Sequence, residues 1–200
     1  MPKFPSPTKE ELSALEPLDR LALPDIVLVA TAQQADDAFQ TLTACTVLGF
    51  DTESKPTFFR DQVSEGPHVV QFATLHKAWV FQLFDKRCRE AVATLLESAA
   101  ITKAGFGLAG DHQQIRRTLG VEPRNVLDLN VVFRQRGYAK EIGVRGAVAV
   151  LFNRRFLKSR KATTSNWANR QLTESQLIYA ANDAWAAMRV FGALGLPLHP

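Results

Sequence analysis

Asp51 and Glu53 stand one residue apart at the end of the apolar run Thr46-Val47-Leu48-Gly49-Phe50. Such a run, rich in β-branched and aromatic residues, reads as a buried strand. Side chains alternate along a strand, so both carboxylates project on one side. Two acids pressed together there repel each other, and a divalent cation held by oxygen ligands is the simplest compensation. For the pair alone, a solvated loop with two unrelated acids remains the bland alternative.

Three further groups bear on that choice. Asp111 follows Gly105-Phe106-Gly107-Leu108-Ala109-Gly110, in the first turn of an expected helix after an expected strand. Ligand sites of open α/β sheets gather at such places, although a first-turn acid also complements the helix dipole. The stretch spells Gly-x-Gly-x-x-Gly as well, but an acid so close to the turn disfavours a bound pyrophosphate. Tyr179 and Asp183, four apart on a later helix, share one face. Each of these has a structural explanation when taken alone. Together, four acids could hold two divalent ions about 3.5–4 Å apart, an arrangement suited to in-line attack at phosphorus. The phenol could orient the attacking water.

The elements that must position these groups follow from periodicity. Strands are expected over 25–30, 46–51, 69–74, 78–83, 101–106 and 125–129, the third and fourth forming a hairpin. Helices are expected over 33–43, 87–98, 108–118, 129–137, 142–152 and 173–194. Thr173 and Gln176 form a capping box at the start of the last, and Gly195 and Pro197 lie beyond its end. A hairpin followed by alternating helix and strand argues for an α/β sheet of mixed direction. Residues 1–24 hold five prolines and read as an N-terminal extension, with a short helix possible at the Thr8/Glu11 capping box. Residues 25–200 form one domain, and 156–165 reads as a mobile basic loop.

Charge supplies a partner. The 200 residues carry a net charge of +4. Between Arg134 and Arg170 there are ten Lys or Arg residues and one acid, Glu141. Such an excess suits a polyanion such as nucleic acid, or merely a solvated surface. Lys158, Arg160 and Lys161 are the candidate phosphate contacts. Trp167 could stack a base or pack on the sheet, and Phe58, with Phe59, could wedge against a terminal base. No apolar stretch is long enough to span a bilayer. The N-terminus lacks the apolar core of a signal peptide, and the two cysteines form no disulfide framework. A cytoplasmic location is therefore expected, with no membrane or protein partner.

Asp51-x-Glu53, Asp111 and Tyr179-x-x-x-Asp183 resemble the three motifs of DEDDy 3′–5′ exonucleases, a family that includes ribonuclease D-like enzymes and the exonuclease domain of the Werner syndrome protein. Gly105 to Asp111 resembles the second motif. Leu157-Lys158, Ser165-Asn166-Trp167, Leu172-Thr173, Gln176 and Tyr179-Ala180-Ala181 resemble the approach to the third. The resemblance covers about 25–200. It implies a ribonuclease H-like fold with a central five-stranded mixed sheet flanked by helices on both faces. It implies two Mg²⁺ or Mn²⁺ ions, with Asp51 bridging both, Glu53 and Asp183 on the ion carrying the water, and Asp111 on the second. Tyr179 would orient the water, Gln71 would be structural and Asp128 at most supporting. The implied reaction removes nucleoside 5′-monophosphates from the 3′ end of DNA or RNA. A catalytically inactive nucleic-acid-binding module and a small-nucleotide phosphodiesterase are the alternatives.

Overall fold

The computed structural model describes residues 4–57, 63–138 and 141–196. Its strands are β1 (Ile26–Val29), β2 (Val47–Glu53), β3 (Val69–Ala73), β4 (Ala78–Gln82), β5 (Thr102–Gly105) and β6 (Val126–Asp128). They form one mixed sheet in the order β1-β4-β3-β2-β5-β6. β2, β3 and β4 run antiparallel in turn, while β1 joins β4, and β5 and β6 extend from β2, all in parallel. The sheet thus has six strands where the resemblance implies five. At one edge the Ile-Val-Leu-Val run of β1 pairs with β4 along its length.

Alternation along β2 sets the two layers. Leu48 and Phe50 face a core shared with Phe72 and Phe81. That core is covered by α2 (Ala32–Thr43) and α3 (Lys86–Glu97). Phe50 stacks on Phe72 with ring centroids 5.7 Å apart, and burying such a side chain contributes about 1.5–3 kcal/mol. Val47 faces the opposite core with Val69, Val80 and Ala104. The central helix of that core is α8 (Glu174–Leu194), begun by the expected Thr173/Gln176 capping box and ended at Gly195 in the left-handed region. Small residues line α8, and Ala180, Ala181, Ala184, Ala186 and Ala187 are all buried. They let it approach the sheet closely. At Gly49 a Cβ would lie 2.0 Å from the Ala184 carbonyl oxygen, so no larger residue fits there without moving the helix.

The remaining elements are α4 (Ala109–Leu119), α5 (Leu129–Gln135), α6 (Gly143–Phe152), α7 (Arg160–Thr163) and, at the N-terminus, α1 (Lys9–Ala14). The capping box of Thr8 and Glu11 starts α1 as expected. Residues 156–165 are not the loop expected from their polarity. Ser159 caps α7, and Phe156 and Ala162 are buried. Two apolar side chains among basic ones suffice to dock the segment. The N-terminal segment lies against the domain. Leu18 N–H donates to the Arg155 carbonyl, Arg155 N–H to that of Glu16, and Leu21 is buried.

Candidate active site

β2 delivers Asp51 and Glu53 to the α8 side, continuing the series Val47, Gly49. α8 delivers Asp183 from the turn that packs on Gly49. Ligand oxygens of Asp51, Glu53 and Asp183 all lie within 4.8 Å of one another. Asp183 is 5% exposed, not solvated, because its helix is buried on nearly every side. Its Oδ1 is buried without a hydrogen-bond donor among the described residues. Such a set is costly without a cation. Burial, then repulsion from Asp183 and Asp111, holds the Asp51 carboxyl well above the usual range. Burial and then Asp51 and Asp183 push Glu53 up to about 9, and burial raises Asp183. Three crowded carboxylates and an orphaned oxygen fit a hard divalent cation.

Asp111 stands outside that group of three. It belongs to the first turn of α4, and its Oδ1 accepts a hydrogen bond from the Thr52 hydroxyl. Thr52 points from β2 opposite to its neighbours Asp51 and Glu53, so one strand serves carboxylates on two sides. Asp111 is still close enough to raise Asp51. Sequence reasoning passed over Thr52, although its place between the two acids on an alternating strand marks it. Nearby, the Ser54 hydroxyl donates to Gln114 Oε1 at 2.6 Å, tying the end of β2 to α4.

Tyr179 sits one helical turn before Asp183. Its hydroxyl oxygen lies 3.2 Å from the Thr163 hydroxyl, which also reaches the Ser159 carbonyl at 3.0 Å. Burial, then Asp183 and Glu53, keeps the phenol protonated by raising its pKa. Trp167 is 1% exposed and packs against the Tyr179 ring, with centroids 5.9 Å apart. The expectation that Trp167 binds nucleic acid is therefore corrected: its ring is consumed in supporting the phenol. Phe58 and Phe59 lie outside the described residues.

Lys158 is not on the solvent side of its segment. Its Nζ is 2.8 Å from Asp183 Oδ2 and 5.3 Å from the Tyr179 ring centroid. Burial alone would lower its pKa, but Asp183, Tyr179 and Asp51 outweigh that and raise it. The ammonium is thus part of the carboxylate site. Arg160 and Lys161 are on α7, and Arg160 lines a cleft of about 790 Å³ with Arg145, Asn130, Thr163 and Lys158. Arg145 also reaches the Lys158 carbonyl at 3.4 Å. Asp128 caps α5 and accepts from the Gly107 and Leu108 amides. It thereby holds the turn that precedes Asp111. Gln71, paired with Asp51 in the sheet, is fully buried with both amide atoms unpartnered among the described residues. A lone Gln in the apolar run Val-Val-Gln-Phe-Ala was the signal for it.

Comparison with known proteins agrees with this geometry. The family described as 3′–5′ exonuclease matches residues 26–199. A Mus musculus bifunctional 3′–5′ exonuclease/ATP-dependent helicase WRN is 28% identical over 80% of this chain and 12% of its own length. An Arabidopsis thaliana 3′–5′ exonuclease is 27% identical over 74% of this chain and 52% of its own length. The chain thus spans at most about half of either relative. The Nibbler EXO domain of Aedes aegypti superposes with a TM-score of 0.74 at 20% identity, over 88% of this chain and 89% of that domain. This likeness bears out the ribonuclease H-like fold. With the match extending across nearly the whole sheet, and with Asp51, Glu53 and Asp183 gathered at the end of its central strand, the chain belongs to the 3′–5′ exonuclease family.

Proposed function

We propose that this chain hydrolyses the terminal phosphodiester at the 3′ end of a nucleic acid, using two divalent ions, Mg²⁺ or Mn²⁺. The observation that carries the reading is the convergence of three carboxylates within 4.8 Å, two half-buried on β2 and one buried on α8 a helical turn from a phenol. Asp51 would hold both ions, Glu53 and Asp183 the one on the water side, and Asp111 the other. Ions held there supply a water of lowered pKa and stabilise the charge on the leaving oxygen. Tyr179, packed against Trp167, would hydrogen-bond and orient the attacking water. The water oxygen forms the new bond to phosphorus, and the bond from phosphorus to the 3′ oxygen breaks. That 3′ oxygen takes up a proton as the water gives one up, leaving the penultimate nucleotide with a new 3′ hydroxyl and releasing a nucleoside 5′-monophosphate. Arg145 and Arg160 in the cleft of about 790 Å³ supply charge for the phosphates behind the scissile one.

The test is a 5′-labelled panel of single-stranded DNA, recessed duplex and RNA, with Mg²⁺ and with Mn²⁺. A stepwise ladder that disappears in Asp51→Ala, with an unchanged circular dichroism spectrum, supports the reading. Scattered internal cuts, salt-dependent binding without turnover, or full activity in Asp51→Ala refutes it.

A further inference from the structure

Lys158 calls for an account beyond phosphate binding, because its ammonium is inside the carboxylate cluster. Nζ meets Asp183 Oδ2 at 2.8 Å and lies over the Tyr179 ring at 5.3 Å. Asp183 is one of the three acids whose oxygens converge within 4.8 Å. A cation at that point occupies the same electrostatic well that a divalent ion would use. The backbone that carries it is fixed from several sides. Arg155, three residues earlier, exchanges backbone hydrogen bonds with the N-terminal segment at Glu16 and Leu18. The Arg155 guanidinium donates to the Ser13 carbonyl at 2.9 Å. Ser159, the next residue, caps α7 and accepts from the Ala162 amide. The backbone that carries the side chain is therefore held on both sides of Lys158.

We propose that Lys158 is the resident cation of this site. It neutralises Asp183 when no divalent ion is bound and competes with that ion for the carboxylates. The proposal rests on the metal-site reading given above. A tethered ammonium competes intramolecularly, since its attachment keeps it a few ångströms from its partner. Removing a unit charge that close to the ligand oxygens strengthens the attraction for a divalent ion. The opposite view, that Lys158 merely buttresses Asp183 in a binding-competent position, predicts weaker metal binding on its removal. Lys158 also lines the cleft of about 790 Å³ beside Arg145 and Arg160. An ammonium displaced from Asp183 thus stays beside the basic surface assigned to the phosphates.

The experiment measures Mn²⁺ binding in the absence of nucleic acid, by electron paramagnetic resonance of the free ion and by calorimetry. Wild type is compared with Lys158→Met, Lys158→Gln, Lys158→Arg and Asp51→Asn. Mn²⁺ bound about tenfold or more tightly by the two neutral variants, with Lys158→Arg close to wild type, is the expected result. Should Lys158→Met fail to fold, Lys158→Gln carries the test, because it keeps a polar group of similar length. Equal or weaker Mn²⁺ binding by the folded neutral variants overturns the proposal while leaving the metal site intact. Binding of Mn²⁺ by none of these proteins removes the metal-site reading itself, and the proposal with it.

Discussion

Glu53→Gln should stabilise the metal-free protein and destabilise it relative to wild type once Mn²⁺ is present. The substitution keeps the shape of the side chain and removes one of three crowded charges. Burial and the fields of Asp51 and Asp183 raise the Glu53 carboxyl from 4.5 to about 9. For an acid raised on folding, the native state binds more protons than the unfolded chain. Stability therefore falls as pH rises from the unfolded value toward the folded one. About three pH units separate 4.5 from a working pH of 7.5, and each is worth about 1.4 kcal/mol, so the ceiling is ~4 kcal/mol. Asp51 and Asp183 share that repulsion and Lys158 offsets part of it, so a gain of about 2 kcal/mol is expected. In a chain of this size that is a rise of roughly 4–8 °C in Tm. The assay is thermal unfolding in EDTA between pH 5 and 8.5. The advantage of the variant should be smallest at pH 5 and grow with pH. Saturating Mn²⁺ should reverse the order, since at about a hundredfold excess over its Kd a ligand stabilises by about 2.7 kcal/mol. A variant no more stable than wild type in EDTA at pH 8, or an advantage independent of pH, would refute the electrostatic account of the site.

Tyr179→Phe keeps the ring against Trp167 and Lys158 but loses the hydroxyl; initial rates should fall on the order of 10²-fold while the Mn²⁺ isotherm is unchanged. Gly49→Ala drives a methyl group into the Ala184 carbonyl, and urea denaturation should show a loss of about 1–3 kcal/mol or more, with activity falling as α8 is pushed from β2. Asp128→Ala removes the α5 cap and both acceptors for the Gly107 and Leu108 amides; a loss of about 1–2 kcal/mol is expected in the same assay. Arg160→Ala with Lys161→Ala should weaken oligonucleotide binding, and the slope of log K against log salt should fall by about 0.7 for each phosphate the variant leaves unneutralised, as read by anisotropy.

Much of this molecule was legible in the chain because its signals are local. Short apolar runs marked β2 and the β3–β4 hairpin, and capping boxes marked the starts of α1 and α8. An expected helix of 173–194 became Glu174–Leu194, since Thr173 is a start signal and Gly195 a stop signal written in residue type. Candidate residues could also be assigned to faces, because strand alternation and the i, i+4 relation put Asp51 with Glu53 and Tyr179 with Asp183. Long-range packing decided the rest. The segment around α7 looked like a mobile loop, and for Trp167 both stacking on a base and packing on the sheet were open, yet α8 is so well covered that both are drawn into its core. No local pattern says that Lys158, in a basic run, turns inward to Asp183. That follows only when Gly49 lets α8 close on β2 and leaves a buried excess of negative charge in want of a cation. Residue type and spacing thus determined which groups could do the chemistry. The approach of one helix to one strand decided which of them share an electrostatic site, because Coulomb coupling depends on distances in space and on burial that the order of residues does not contain.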